Sequence, residues 1–169
     1  FSNFVWNCPL QVNWIDLGGA LTSVTGDFTI TSTGLTGGLR LSKNTASTLS
    51  VGGDFTLTNG NFSLSDGSNI TSVMNVAGDY THTLGTFSIV DGSSSTGNVN
   101  LSGNFTHTAG TITVTGNSST SAVISFAKSG SQTFNVTLPV VTGNVDWKVN
   151  SGSTLVMGTN VMVGRNFTL

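Results

Sequence analysis

The sequence predicts an all-β protein, folded as a right-handed parallel β-solenoid (a β-helix) with coils of about 25 residues. Three observations lead to this prediction. The composition is poor in helix-forming residues, a 25-residue repeat runs through the middle of the chain, and apolar and polar residues alternate within each repeat.

The composition excludes most other classes of protein. Thr, Ser, Gly and Asn supply 27, 23, 22 and 17 of the 169 residues, whereas Ala supplies six and Glu none. No stretch carries the charged, 3.6-residue pattern of a surface helix. A hydrophobic content of 37% and a net charge of −2 argue against disorder. The five Lys and Arg residues are dispersed, so we expect no nucleic-acid partner. No apolar run reaches the roughly 20 residues that span a membrane.

The repeat is the strongest signal. Residues 49–58, 74–83 and 99–108 align without a gap at a spacing of 25, and an earlier copy begins at Gly26. A fifth copy begins at Ile124 and loses the pattern near Lys128. Stacked coils place equivalent residues above one another, whereas a β-sandwich does not need identical columns. A β-propeller is disfavoured because its blades need about 40 residues or more.

Each repeat alternates as a strand with one buried face. Leu49, Val51, Phe55 and Leu57 share one parity and are expected to point inward. A glycine then precedes a second short strand, so further core columns are expected. The predicted core columns are Phe28–Phe55–Tyr80–Phe105, Phe62–Phe87–Ile112 and Leu64–Ile89–Val114.

These patterns divide the chain into three parts. Residues 1–25 are expected to form an irregular first coil or cap, and residues 26–128 the regular 25-residue repeats. Residues 129–169 are expected to form divergent coils that continue beyond the chain end. The single cysteine, Cys8, is predicted to be a small buried hydrophobe rather than a nucleophile.

An acidic column raises the question of a metal site. Stacked carboxylates could bind Ca²⁺ between coils. The favoured interpretation is that these turn residues cap local backbone N–H groups, because an Asn replaces Asp in the last copy. We therefore expect no metal and no cofactor. The weak metal candidates are Asp27, Asp54 and Asp79, and Asn104 completes their column.

His82 and His107 also occupy one column, and their parity points inward. Two histidines without a third ligand are a weak indication of a metal. Structural stacking, or a position near a roomy corner, is the favoured interpretation.

The Thr-x-Thr motif predicts two outward rows of threonine. Such rows are similar to the regular threonine array of ice-binding solenoids, although Thr is also a favoured residue on exposed strands. The rows comprise Thr29, Thr56, Thr81 and Thr106, and Thr31, Thr58, Thr83 and Thr108.

No catalytic motif is present, and no enzyme is expected. A polysaccharide lyase or hydrolase is the disfavoured alternative, because solenoid enzymes of that kind gather Asp, Lys and Arg in one groove. The charged residues outside the repeat columns are scattered along the chain. They are Arg40, Lys43, Lys128, Asp146, Lys148 and Arg165.

The repeat unit Gly-Asp-Phe-Thr-x-Thr-x-Gly-x-Phe-x-Leu resembles repeats in large secreted and surface proteins of Bacteroidetes, as do residues 129–134, 147–155 and 158–161. Proteins of this kind are commonly exported by the type IX secretion system and act in adhesion or as surface structures. The resemblance implies an extracellular or cell-surface location and a non-catalytic role as a stalk, scaffold or adhesin. The expected partners are a surface glycan or protein, outer-membrane secretion or surface-complex proteins, and further coils of a longer chain. A carbohydrate-binding or carbohydrate-cleaving β-helix is the alternative function, and an ice binder is the third.

Overall fold

A computed structural model describes residues 1–117, 119–138, 141–158 and 165–169 of the chain. The last residues of the 158–161 motif lie outside these ranges. Every regular element in the described residues is a β-strand, as predicted.

The strands follow one another three to a coil. Coils 1 to 3 contain β1 (Phe4–Asn7), β2 (Trp14–Asp16), β3 (Ser23–Val24), β4 (Phe28–Ser32), β5 (Gly38–Arg40), β6 (Ser47–Val51), β7 (Phe55–Leu57), β8 (Asn61–Ser63) and β9 (Thr71–Val76). Coils 4 to 6 contain β10 (Tyr80–His82), β11 (Thr86–Asp91), β12 (Thr96–Leu101), β13 (Phe105–His107), β14 (Thr111–Thr115), β15 (Ser121–Phe126), β16 (Gly130–Val136), β17 (Val141–Thr142) and β18 (Val145–Val149). Two later strands are β19 (Ser153–Met157) and β20 (Asn166–Thr168).

Equivalent strands of successive coils pair in parallel and form three sheets. Sheet A has the order β1-β4-β7-β10-β13-β16-β19, sheet B β17-β14-β11-β8-β5-β2, and sheet C β20-β18-β15-β12-β9-β6-β3. From β1 to β19, each pair of neighbouring strands lies three places apart along the chain, as a parallel β-solenoid requires. The fold class is confirmed, and the right-handed sense of the coil stays a prediction.

The core follows the predicted columns. Phe28 pairs with Phe55, Phe55 with Tyr80, and Tyr80 with Phe105. All four rings are fully buried, and consecutive centroids lie 5.4, 5.3 and 4.8 Å apart. The same column extends to Phe4 at one end and Phe134 at the other. Burial of these rings removes large apolar surfaces from water and so stabilises the stack of coils.

One predicted column is wrong. Val114 pairs with Val90 rather than with Ile89, because a bulge interrupts the register after Ser88. Ile89 and Val90 are both fully buried. Gly97 makes room for them: a Cβ there would lie 2.6 Å from Cγ2 of Ile89 and 2.8 Å from Cγ2 of Val90.

The repeat pattern breaks between Phe126 and Phe134, where a buried glutamine bridges the longer connection. Gln132 donates from Nε2 to the carbonyl of Leu101 (3.0 Å) and accepts the backbone N–H of Lys128 at Oε1 (3.0 Å). Phe134 then pairs with Phe105, so the aromatic column continues without a gap into the next coil.

Candidate functional site

The outer face of sheet A carries the threonine rows. Thr29 pairs with Thr56, Thr56 with Thr81, and Thr81 with Thr106, so the first row is in register over four coils. All four side chains are half-buried. The row passes into Val5 at one end and Asn135 at the other. Adjacent parallel strands lie about 4.8 Å apart, so the row is a regular array along the solenoid.

The second threonine row differs from the first in its hydrogen bonds. Backbone N–H groups of Thr58, Thr83 and Thr108 donate to carbonyls of the preceding coil at 2.8–2.9 Å. The hydroxyl of Thr83 donates to the Thr58 carbonyl (3.0 Å), and that of Thr108 to the His82 carbonyl (3.4 Å). These two hydroxyls therefore bond to the backbone of the neighbouring coil. Thr31 begins this row at the end of β4.

The acidic column lies beside the threonine rows, and its oxygens also join coils. Oδ1 of Asp27 accepts the N–H of Asp54 (2.9 Å), Oδ1 of Asp54 that of Asp79 (2.7 Å), and Oδ1 of Asp79 that of Asn104 (2.7 Å). Asn3 and Asn104 extend the ladder by the same bond at its two ends. The side chains accept backbone N–H groups, as predicted, but the expectation that these groups are local is wrong. Each donor lies in the next coil, because the stacked turns bring equivalent residues together.

A metal centre has little support from the geometry of these residues. Oδ1 of each aspartate is already bonded to a peptide N–H. Among the described residues, no group of three or more His, Cys, Asp or Glu side chains could hold an ion.

The two histidines lie in the core, as their parity predicts. His82 pairs with His107, both are fully buried, and their Nδ1 atoms lie 3.2 Å apart. Burial lowers the pKa of His82 to about 4, and the neighbouring His107 contributes to this shift. Burial also lowers the pKa of His107. Both rings are therefore neutral at pH 7.

The charged residues outside the columns do not converge on one groove. The guanidinium of Arg40 forms an ion pair with Asp66 and lies 4.9 Å from the ring of Trp14. On a distant coil, Arg165 donates to both carboxylate oxygens of Asp146 (2.6 and 3.0 Å), and these bonds lower the pKa of Asp146. The lysines at 43, 128 and 148 are exposed.

Cys8 is exposed, so the prediction that it is buried is wrong. It follows β1 in the turn towards sheet B, where its backbone N–H donates to the Ser32 carbonyl (2.8 Å). The prediction rested on the general tendency of free cysteines to be buried, which does not hold for this exposed turn.

Two surface hollows were not predicted from the sequence. A groove of about 430 Å³ follows the edge between sheets C and A, where successive coils place the small residues Thr25, Gly52, Ala77 and Ser102. Asn75 and Asn100 form one wall and hydrogen-bond to each other (2.8 Å). A second hollow of about 530 Å³ lies at coil 1, lined mainly by apolar groups that include Trp6, Pro9 and Ile15. The recurrence of small residues at intervals of 25 to 27 positions was the available signal for the first hollow.

The fold and its repeated columns define the chain as a parallel β-solenoid repeat protein. No protein-family model matches the sequence, and neither the curated proteins nor the solved structures contain a match. The described residues include no helix long and apolar enough to cross a membrane.

Proposed function

We propose that this chain is a rigid, non-catalytic segment of a long extracellular protein, serving as a stalk, scaffold or adhesin on a bacterial surface. The observation that carries the proposal is the ladder from Asp54 through Asp79 to Asn104. In it, the repeated polar side chains join one coil to the next. Polar side chains of this kind could contact a ligand in a binding site. In this ladder they instead form hydrogen bonds between neighbouring coils.

The distribution of charge also supports a structural role. Hydrolases and lyases need acid–base groups within reach of one substrate bond. Arg40 with Asp66 and Asp146 with Arg165 are instead separate ion pairs in different coils. Parallel strands pair the backbone along all three sheets of the described chain, and paired backbone resists proteolysis.

The resemblance of the repeats to surface proteins of Bacteroidetes supports the proposed location and type IX export. On this proposal the partners are a surface glycan or protein, outer-membrane complex proteins, and further coils of the same longer chain.

Force spectroscopy on single molecules tests the structural role. A solenoid coil that detaches from its neighbour releases about 25 residues, or roughly 85 Å of extended chain. We expect repeated steps of this size under load. One step that extends the whole described region at once would contradict a coil-wise rod. A reducing-sugar assay with polysaccharides should be negative for a non-catalytic segment. A glycan array separates an adhesin, which binds a glycan, from a stalk or scaffold, which does not. Release of reducing ends would replace the proposal with the lyase or hydrolase alternative.

Ice binding is a second candidate, favoured by the in-register row Thr29–Thr56–Thr81–Thr106. Thermal hysteresis of a purified sample is the direct test. If it is present, Thr81→Tyr in the middle of the row should abolish it, whereas the matched change Asn98→Tyr on the outer face of sheet C should not. Absence of hysteresis removes this candidate and leaves the structural proposal intact.

A further inference from the structure

The buried histidine pair lies at the seam between coils 4 and 5. His82 in β10 faces His107 in β13, and both have no exposed surface. Their neighbours in the same inward column are Leu57 below and Val136 above. Two polar rings thus replace aliphatic side chains at one interface between coils.

The distance between the two rings determines which tautomer each ring adopts in the neutral state. Nδ1 atoms 3.2 Å apart form a hydrogen bond only if one carries a proton and the other presents a lone pair. The two rings therefore hold different tautomers. Neither Nε2 atom has a hydrogen-bond partner of good geometry, and both are buried.

The surroundings offer little compensation for positive charge. The buried polar residues of the described chain include no Asp, Lys or Arg. Tyr80, whose ring centroid lies 6.5 Å from that of His82, is a buried phenol, and burial raises its pKa. Asp79 is on the outer face, bonded to the Asn104 N–H.

Peptide groups supply the remaining stabilisation of a protonated ring. Those of Leu84 and Gly85 favour protonated His82, and those of Leu138 and Gly110 favour protonated His107. At each histidine this stabilisation is smaller than the cost of burying a charged ring, since the pKa of each histidine is lowered overall.

We propose that His82 and His107 form a proton-binding site that keeps coils 4 and 5 together while it holds at most one extra proton, and separates them when both rings are charged. The first proton leaves a charge-assisted N–H⁺···N bond between the rings. The second removes the acceptor lone pair, and two cationic N–H groups then face each other without a counter-ion. Acid therefore opens the rod at one defined seam.

The direction of the pH dependence follows from the difference between folded and unfolded chains. An unfolded histidine titrates near pH 6.5, whereas His82 titrates at about 4 in the fold. Between these values the unfolded chain takes up protons that the folded chain does not, so stability falls as the pH is lowered. The two rings are coupled, so the pair titrates in two joint steps.

Hydrogen exchange resolved by peptide tests the proposal. Protection factors, corrected for the intrinsic pH dependence of exchange, should fall about tenfold more in β10 and β13 than in β4 and β7 between pH 6.5 and pH 4. The variant H82L/H107V, which continues the aliphatic column of Leu57 and Val136, should lose this difference. An equal loss of protection in all coils, or an unchanged local loss in the variant, would overturn the proposal.

Two further measurements keep the test independent of the variant's folding. D79N removes a carboxyl group from the outer face of the same coil and should keep the local acid response of the original protein. In the unmodified protein, ¹⁵N spectra at pH 7 should show one histidine protonated at Nδ1 and the other at Nε2. Identical tautomers at pH 7 would contradict the paired state on which the proposal rests.

Discussion

The ring of Tyr80 stacks on the ring of Phe105, with centroids 4.8 Å apart and planes inclined by only 4°. The phenol is fully buried, and its hydroxyl has no hydrogen-bond partner. The other buried aromatic residues of this column are phenylalanines, which gain the stacking without burying a hydroxyl.

Tyr80→Phe should therefore stabilise the protein. Removing a buried, unpaired hydroxyl while keeping the ring is expected to raise the free energy of unfolding by about 1 kcal/mol. Urea denaturation measures the change. The reverse substitution, Phe105→Tyr, is the matched control and should lower stability by about 1–3 kcal/mol. A clear loss of stability in Tyr80→Phe would show that the hydroxyl has a partner.

The inward and outward faces of β7 should respond very differently to truncation. Phe55→Ala removes a fully buried ring and should cost about 3–5 kcal/mol through lost burial and a cavity. Thr56→Ala, one residue along on the outer face, should cost less than about 0.5 kcal/mol. Chemical denaturation of the two variants gives both values, and similar losses would be incompatible with the assigned faces.

The acidic ladder should depend on an acceptor oxygen rather than on charge or metal. Asp54→Asn keeps an oxygen for the Asp79 N–H and should change the free energy of unfolding by less than about 0.5 kcal/mol. Asp54→Ala removes the acceptor and should cost about 1 kcal/mol.

Chelation tests whether the same acidic column binds a metal ion that stabilises the fold. EDTA should leave the melting temperature unchanged, because each Oδ1 accepts a peptide N–H in the described geometry. A fall of several degrees that Ca²⁺ reverses would establish ion sites in the column.

The turn glycine Gly85 combines two constraints. Its φ is +88°, and a Cβ there would lie 2.1 Å from the Gly60 carbonyl oxygen in the coil below. Gly85→Ala should therefore lower the free energy of unfolding by more than the roughly 1–2 kcal/mol that a left-handed backbone conformation costs an L-residue. Gly152 has a similar φ of +84° but open space around it, so Gly152→Ala should cost only the backbone penalty. Equal melting temperatures for the two variants would contradict the close stacking of turns.

The sequence predicted most of the side-chain positions that repeat and missed the features that occur once. The aromatic column and the inward histidines followed from period and parity, because equivalent positions of stacked coils must coincide. The bulge at Ile89 depends on the absence of a side chain at Gly97, and the Arg40–Asp66 pair joins residues outside the columns. For the candidate site, the positions of the Thr and Asp rows were predictable. The bond from the Thr83 hydroxyl to the Thr58 carbonyl was not, because it depends on a side-chain rotamer.

The most direct test of the stacked-coil account measures distances between spin labels along the first threonine row. Nitroxide labels at Thr29 and Thr81 are two coils apart, and labels at Thr29 and Thr106 are three coils apart. At about 4.8 Å per coil, the labelled backbones should be separated by roughly 10 Å and 14 Å. Electron paramagnetic resonance should give distances that increase by one constant step per coil, with breadth from the label linkers. Distances that do not increase with the number of intervening coils would contradict the parallel solenoid and the rod-like function built on it.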